Sequence, residues 1–398
     1  MKITSFTARE VLDSRGNPTV EVEINGQKAI APSGASTGAH EAVELRDGGS
    51  RYHGKGTTKA VSQAASMLKK AEERVFETQA SYDSFLLKQD STKNKRRLGA
   101  NTLVACSTAF FKALAFQRHT PTWAFFKKPR KIPVPIANVI NGGAHAQNGL
   151  SIQEFMIIPE GLKTTSGRVR AVSEIYHQLK TDLQKHGLGV GVGDEGGFAP
   201  PLRSTHDALD FIAKAVRECG YEKQVSLGLD CAATQFYKDN HYYLDGAKHH
   251  ADALADHYVR LQKTFRIAYF EDPFYEEDFN SFAAFTKKIR GTALVVGDDL
   301  TVTNTKRIKV AIEKKACSGV ILKPNQAGTI TETLEAFVAA RNAKWAVVVS
   351  HRSGETEDAF IADFACALEA DFAKIGAPCR GERTSKYNQL LRIAEQVE

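Results

Sequence analysis

Six short apolar runs in the second part of the chain each end in a charged or titratable residue. In chain order these residues are Asp230, Glu271, Asp298, Lys323, His351 and Lys374. A charge directly after a buried strand costs free energy unless it reaches solvent or belongs to a site. The three carboxylates suit Mg²⁺, which proteins hold through a few carboxylates, waters and substrate oxygens. Alternatively each one caps the following helix, while Zn²⁺ is disfavoured because no paired His or Cys ligands are suitably spaced.

The cationic residues of the series indicate an anionic substrate. Lys323 and Lys374 are expected to face the same cavity as His351 and Arg352, and cations beside a metal favour a carboxylate or phosphate. Because a lysine between a metal and other cations is expected to have a lowered pKa, Lys323 is a candidate base. Glu195, between glycines in GDEGG, is the candidate acid on the opposite face. The pattern predicts metal-assisted proton abstraction next to a carboxylate, where positive charge stabilises the dianion that forms.

The spacing of these residues predicts the elements that position them. Successive members lie between 23 and 41 residues apart, which accommodates a strand, a helix and two loops. Residues 303–316, 331–343 and 356–370 have apolar side chains at helical spacing. We therefore predict a (β/α) barrel, in which the C-terminal ends of parallel strands form the active site. A doubly wound open sheet is the alternative, and it would place its site at one crevice.

Two domains fit the 398 residues, of which 42% are hydrophobic and 25% charged. Alternating residues around the turn at 14–18 predict an antiparallel strand pair, and residues 57–117 read as two or three helices. Residues 31–47 form a Gly- and hydroxyl-rich loop, either a mobile lid or a plain surface turn. We predict a small α+β domain at 1–128 and the barrel at 129–398.

Composition and local motifs set expectations for partners and location. The mild net charge of +7 is compatible with an anionic substrate or weak polyanion contact and alone decides nothing. The basic, aromatic segment at 123–131 resembles a nucleic-acid patch, but a connector is favoured because no nucleic-acid motif surrounds it. Six cysteines without a C-x-x-C pair predict reduced thiols and a cytoplasmic protein. A signal-peptide core and a long apolar run are both missing from the sequence, so no membrane span is expected.

Several longer segments resemble one known family, the enolases. The resemblance runs from residue 3 to about residue 394. Its most specific segments are SGASTGAHEAVELRD, NGGAHAQNGLSIQEFMIIP, VGDEGGFAP, LGLDCAATQFY, EDPF, GDDLTVTN, LKPNQAGT, SHRSGETEDAFIADFACAL and GAPCRGERTSKYNQLLRI. The resemblance implies a glycolytic lyase that reversibly dehydrates 2-phosphoglycerate to phosphoenolpyruvate.

The same resemblance implies a role for each matching residue. Lys323 would remove the C2 proton, and Glu195 would assist loss of the C3 hydroxyl. The first Mg²⁺ would bind Asp230, Glu271 and Asp298, as the strand ends also suggest.

Further roles follow for the rest of the pocket. Ser36 would help to hold a second Mg²⁺ that arrives with substrate. Arg352 and Ser353 would bind the phosphate, and Lys374 the carboxylate side. The remaining residues implied to line the substrate site are His145, Gln153, Glu154, Ser350 and His351. The family also implies a homodimer, a barrel that begins in ββαα order, and display on the cell surface as a side role.

The chain departs from the family pattern in places. Pro324 follows the candidate base where a β-branched residue is usual, and a proline there fixes its own φ and favours extended geometry at Lys323. The segments near 116–131 and 238–252 look short for the family. Two other functions compete with the lyase: an enolase-fold binding protein that has lost turnover, and a related reaction on an unphosphorylated acid.

Overall fold

The computed structural model describes residues 1–35, 38–146 and 148–398. It opens with an antiparallel sheet of β1 (Phe6–Leu12), β2 (Pro18–Ile24) and β3 (Gln27–Ile30). β1 pairs with β2 from Phe6↔Ile24 to Leu12↔Pro18, so the antiparallel pair predicted around residues 14–18 is confirmed. Asn25 and Gly26, both with positive φ, make the tight turn into β3 that suits two twisted strands.

Three helices follow this sheet, namely α1 (Thr58–Glu72), α2 (Gln79–Leu87) and α3 (Ala100–Gln117), and α1 and α3 pack against it. α3 packs against β2 and β3 and is buried along almost its whole length, as its run of apolar residues requires. α2 begins with a capping box, in which Thr78 and Ser81 bond each other's backbone N–H groups. These elements share an apolar core separate from that of the barrel.

The rest of the chain builds a closed eight-stranded barrel. Its strands are β4 (Val134–Asn141), β5 (Glu154–Ile158), β6 (Ser226–Asp230), β10 (Ile267–Glu271), β11 (Leu294–Gly297), β12 (Gly319–Leu322), β13 (Ala346–Ser350) and β14 (Phe372–Lys374). β14 pairs with β4 and closes the circle, so the barrel prediction is confirmed and the open-sheet alternative is wrong. The barrel helices are α4 (Thr165–Lys185), α5 (Thr205–Glu218), α6 (Ala251–Phe265), α7 (Phe279–Lys288), α8 (Thr305–Glu313), α9 (Pro324–Ala327), α10 (Ile330–Asn342), α11 (Phe360–Ala367) and α12 (Gly381–Val397).

The start of the barrel is irregular. β5 runs antiparallel to both β4 and β6, and α4 and α5 follow it in sequence, which is the ββαα order that the resemblance implied. The other neighbouring strands are parallel. A small sheet of β7 (Tyr237–Lys238), β8 (His241–Leu244) and β9 (Ala247–His249) is inserted between β6 and α6.

Apolar side chains fill the barrel interior. The buried members of this inner cluster are Ile136, Met156, Ile158, Tyr269, Val296, Ile321 and Val348. Burying such a side chain contributes roughly 1.5–3 kcal/mol to folding stability, so the cluster forms a stable packed layer beneath the strand ends. A larger apolar layer lies between the strands and the helices around them.

The N-terminal domain docks against the barrel near its strand ends. Ser33 and Gly354 exchange backbone hydrogen bonds of 2.8 Å. The buried Asp83 carboxylate accepts hydrogen bonds from the backbone N–H (2.9 Å) and hydroxyl (2.6 Å) of Thr331 at the start of α10. The proposed second-metal ligand Ser36 lies outside the described residues, so the structure does not bear on it.

The structure also shows the connector between the domains and the state of the cysteines. In the connector, Lys127 forms an ion pair with Glu369, and Lys131 forms one with Asp371. All six cysteines are free thiols, and four of them are buried. In the described part of the chain no helix combines the length and the apolar character that crossing a membrane requires.

Candidate active site

The strand ends bring the predicted carboxylates to the mouth of the barrel. Asp230 and Glu271 are the last residues of β6 and β10, where they occupy paired positions in the parallel ladder. Asp298 directly follows β11. All three are buried, with Glu271 completely inaccessible to solvent. Burial, together with the neighbouring charge of Asp230, raises the pKa of Glu271 to about 8.

Lys374 lies among carboxylates. Its Nζ is 2.8 Å from Glu271 Oε1, 2.9 Å from Asp230 Oδ2 and 3.1 Å from Glu154 Oε1. Burial lowers the pKa of an ammonium, but these three carboxylates outweigh burial and hold the pKa of Lys374 well above its ordinary value. Lys374 is therefore a fixed positive charge.

Among the described residues, Lys323 has one carboxylate in contact with it, that of Asp298. It follows β12 with extended backbone (φ −127°, ψ 106°), its N–H donates to Thr303 Oγ1 at 2.9 Å, and its ammonium contacts Asp298. Burial lowers its pKa, but Asp298 outweighs burial and raises it. A lowered pKa is the prediction for a lysine between a metal and other cations, and it stays a prediction; in this structure the effect of Asp298 outweighs those of Arg352 and Lys374.

Pro324 fits this geometry without disturbing it. It is the first residue of the short helix α9, where a missing N–H costs nothing because the first helical N–H groups have no intrahelical partner. The extended backbone of Lys323 is also the conformation that a residue before proline prefers. α9 then presents Gln326, whose amide donates to Asp298 Oδ1 at 2.9 Å.

Glu195 reaches the cavity from the loop between α4 and α5. The glycines beside it are required by crowding, since a Cβ at Gly197 would lie 2.1 Å from Asn141 Oδ1. Glu195 is buried and accepts a hydrogen bond from Asn138 Nδ2 at 3.1 Å. His351 Nε2 lies 3.4 Å from its carboxylate.

Two opposing effects act on the Glu195 carboxyl. Burial raises its pKa, but His351, His145 and Arg383 outweigh burial and hold the pKa well below its usual range. The histidines act in this way only while they are protonated. Burial lowers the pKa of His351 to about 4 and also lowers that of His145, so both rings are neutral at pH 7. When the two imidazoles are uncharged, Arg383 is the cation that still lowers the pKa of Glu195, and burial still raises it.

Arg352 is held at the other side of the cavity by a buried carboxylate. Its Nη1 and Nη2 lie 2.9 Å and 3.2 Å from the two oxygens of Glu41. Nη1 also donates to Asn325 Oδ1 at 3.2 Å. Ser353 Oγ lies 3.1 Å from His145 Nε2 and accepts a hydrogen bond from the backbone N–H of Ala35. Arg352 and Ser353 are thus next to the loop that contains the two undescribed residues 36 and 37.

The predicted catalytic and substrate-binding residues surround one cavity of about 250 Å³. Its lining consists of His145, Gln153, Glu154, Glu195, Lys323, Ser350, His351, Arg352, Ser353 and Lys374. Ser350 is the last residue of β13. Its hydroxyl donates to the carbonyl of the next residue, His351, at 2.9 Å, and this bond fixes the position of the hydroxyl oxygen. Gln153 precedes β5 and contacts Gln235.

The donor set fits a hard divalent cation. Among the described residues, two groups bring three ligand atoms within 4.8 Å of one another, namely His145, Glu154 and Glu195, and Asp272, Asp298 and Asp299. Asp298 is shared with the predicted triad, whereas Asp230 and Glu271 are joined through Lys374. Asp272 supports its neighbour, since one of its oxygens accepts the Asp298 N–H at 3.0 Å. Four buried carboxyl groups (Glu154 with the predicted triad) face two lysines, an excess that Mg²⁺ would neutralise.

Sequence reasoning missed several residues that hold the site together. Thr303 and Gln326 support Lys323 and Asp298, and Gln326 lies within the LKPNQ segment, which was a usable signal. Glu41 is 311 positions from Arg352, so no spacing rule joins them. Arg383 is completely buried and donates to the carbonyls of Arg352 and Ser353.

Comparison with known proteins agrees with this architecture. A family model described as "Enolase, N-terminal domain" matches residues 3–126, and one described as "Enolase, C-terminal TIM barrel domain" matches residues 129–398. The chain belongs to the enolase family. Among its relatives, a protein named enolase from Methanocaldococcus jannaschii is 48% identical over 409 residues, covering 100% of this chain and 96% of the relative. Another of that name from Thermococcus kodakarensis is 46% identical over 412 residues, covering 100% and 95%.

Proposed function

We propose that this member of the enolase family is a phosphopyruvate hydratase, which interconverts 2-phosphoglycerate and phosphoenolpyruvate plus water. One observation carries the proposal: a single small cavity is lined by a lysine, a buried glutamate and several cations, with carboxylates beside them. Proton abstraction and loss of a hydroxyl need a base and an acid on either side of the substrate. Lys323 and Glu195 extend from different elements, β12 and the α4–α5 loop, and both line this cavity.

Substrate binding is assigned to the cations and their supports. Arg352 and Ser353 hold the phosphate, because a guanidinium can bind two oxygens of an anion at once. Lys374 faces the carboxylate side as a fixed positive charge. The remaining lining residues orient the substrate: His145, Gln153, Glu154, Ser350 and His351.

Lys323 acts as the base that takes the C2 proton. Burial and the nearby charges of Arg352 and Lys374 favour its neutral form, while Asp298 and Glu271 favour the ammonium. The proton therefore remains on Lys323 as long as Asp298 is its uncompensated neighbour. Loss of that neighbour's negative charge shifts Lys323 towards the neutral amine that abstraction requires.

Glu195 acts as the acid that assists loss of the C3 hydroxyl. This assignment rests on the position of Glu195 in the cavity that Lys323 also lines, and burial there favours a protonated carboxyl. Asn138 fixes the carboxyl group through Oε2. His351 is in turn held by Arg383, which contacts its Nδ1.

The cofactor proposed is Mg²⁺, one ion held by Asp230, Glu271 and Asp298 and a second that arrives with substrate and binds Ser36. When bound, Mg²⁺ compensates the charge of Asp298 and Glu271 and supplies positive charge for the negative charge that develops on the substrate carboxylate. The excess of buried carboxyl groups described above supports this assignment.

The remaining proposals concern organisation. We propose that residues 1–128 form a capping domain and residues 129–398 the catalytic barrel. By analogy with the family, the protein is a cytoplasmic homodimer whose substrate is a small molecule, and surface display is a side role that the family allows.

The direct test is the growth of phosphoenolpyruvate absorbance after 2-phosphoglycerate is added, first with Mg²⁺ and then with EDTA. Metal-dependent turnover is expected. A folded, Mg²⁺-binding protein without turnover would instead favour the inactive binding protein. Turnover on an unphosphorylated acid alone would favour the related reaction.

A further inference from the structure

A tyrosine lies directly beneath the carboxylate cluster. Tyr269 and Glu271 are two residues apart on β10, so both side chains point into the barrel. The Tyr269 hydroxyl donates to Glu271 Oε2 at 2.8 Å. Both residues are almost completely buried.

Packing of the inner barrel cluster does not explain the hydroxyl group of Tyr269. The ring belongs to the inner barrel cluster, whose other six members are Ile, Val or Met residues. A phenylalanine would fill the same volume without bringing a polar atom into this layer, which costs free energy unless the atom is hydrogen-bonded. The hydroxyl therefore requires an explanation, and Glu271 is the partner that it reaches.

The neighbouring strand makes room for the tyrosine ring. Gly228 on β6 occupies the register position opposite Tyr269. A Cβ at Gly228 would lie 3.3 Å from Tyr269 Cβ and 3.2 Å from Ile158 Cδ1, which is tighter than an ordinary contact. The glycine therefore lets the ring stand where its hydroxyl meets Glu271.

Glu271 has both carboxylate oxygens occupied. Oε1 lies 2.8 Å from Lys374 Nζ, and Oε2 accepts the Tyr269 hydrogen bond. Two partners on different strands fix the plane and rotamer of the carboxylate more closely than one. Partners in such outer positions orient metal ligands, and losing one typically weakens metal affinity by about 10- to 100-fold.

We propose that Tyr269 is a positioning residue that orients Glu271 for the divalent cation, and that Gly228 sets the position of the ring. The inference rests on the proposed assignment of Asp230, Glu271 and Asp298 as metal ligands. It does not make Tyr269 a ligand or a catalytic residue.

The experiment measures Mg²⁺ affinity by isothermal titration calorimetry, without substrate. Tyr269→Phe is expected to raise the Mg²⁺ Kd by about 10-fold. The control is Tyr82→Phe in the N-terminal domain, which removes a buried phenol oxygen that has no hydrogen-bond partner in the part of the chain that the structure describes, and it should leave Kd unchanged. A purely structural hydroxyl would lower the metal-free melting temperature of Tyr269→Phe and leave Kd unaltered.

Asp230→Asn distinguishes failure of the metal-ligand assignment from failure of the positioning role of Tyr269. If Asp230→Asn loses Mg²⁺ binding while Tyr269→Phe keeps the wild-type Kd, the inference is overturned and the metal site stands. If both variants keep the wild-type Kd, the ligand assignment fails and the inference fails with it. Should Tyr269→Phe not fold, Gly228→Ala tests the same contact, because it retains the hydroxyl but crowds the ring. An unchanged Kd in folded Gly228→Ala would overturn the inference.

Discussion

Lys323 and Lys374 end strands of the same barrel, both are buried, and both line the same cavity, yet their surroundings differ. Within the described ranges, Lys374 contacts three carboxylates, whereas Lys323 contacts one. A lysine that three carboxylates hold cannot give up its proton near neutral pH, whereas one with a single opposing neighbour becomes a base when that neighbour is neutralised. Both residues are lysines at strand ends, so the number of neighbouring carboxylates decides that Lys374 stays a fixed cation and that Lys323 is the candidate base.

The largest expected effect tests Lys323. Lys323→Ala should reduce C2 proton exchange of 2-phosphoglycerate in D₂O by roughly 10²- to 10⁴-fold, because a positioned base contributes that much. Mg²⁺ binding should persist. Exchange at the wild-type rate would show that Lys323 is not the base.

The second prediction compares the stability lost when each lysine is removed. Lys374→Met should lower the free energy of unfolding in the absence of Mg²⁺ by about 3–5 kcal/mol, because removing one partner leaves buried charges uncompensated. Lys323→Met is the matched control. It leaves Asp298 without its lysine, so it should lower the free energy of unfolding by less. Urea unfolding of both variants measures the difference, and an equal loss would break the distinction between the two lysines.

The third prediction concerns His351, a buried group that stays neutral where the lysines stay charged. Its pKa is about 4 in the folded protein and about 6.5 when unfolded, so the unfolded chain binds the proton first as pH falls. Stability should therefore drop between pH 6.5 and pH 4, by up to roughly 3 kcal/mol from this residue. His351→Gln should show a shallower decline in urea unfolding at several pH values; parallel declines would contradict the assignment.

The smallest effect is expected at Pro324. Pro324→Val should change turnover by no more than about 3-fold, because Lys323 is already extended and its N–H is held by Thr303. Steady-state kinetics with Mg²⁺ measure the change. A much larger loss would show that the proline, and not the strand, sets the direction of the base.

The sequence predicted the barrel because residues at strand ends must recur at the length of a strand–helix unit, as Asp298, Lys323 and His351 do. It could not predict the pKa of Lys323, which depends on the distance to Asp298 and not on the order of residues. Nor could it pair Glu41 with Arg352, because only the docking of two domains brings them together. The family resemblance, and not periodicity, supplied the ββαα order at the start of the barrel.

The pairing of Glu41 with Arg352 also has a consequence for biogenesis. Domains generally fold in the order of synthesis, so the N-terminal domain is complete while Arg352 has yet to be made. Glu41 must then remain hydrated, since an isolated carboxylate cannot be buried without its counterion. The Glu41–Arg352 pair therefore forms only at the final docking step, and a nascent chain that stalls before residue 352 has an assembled first domain whose Glu41 is still hydrated.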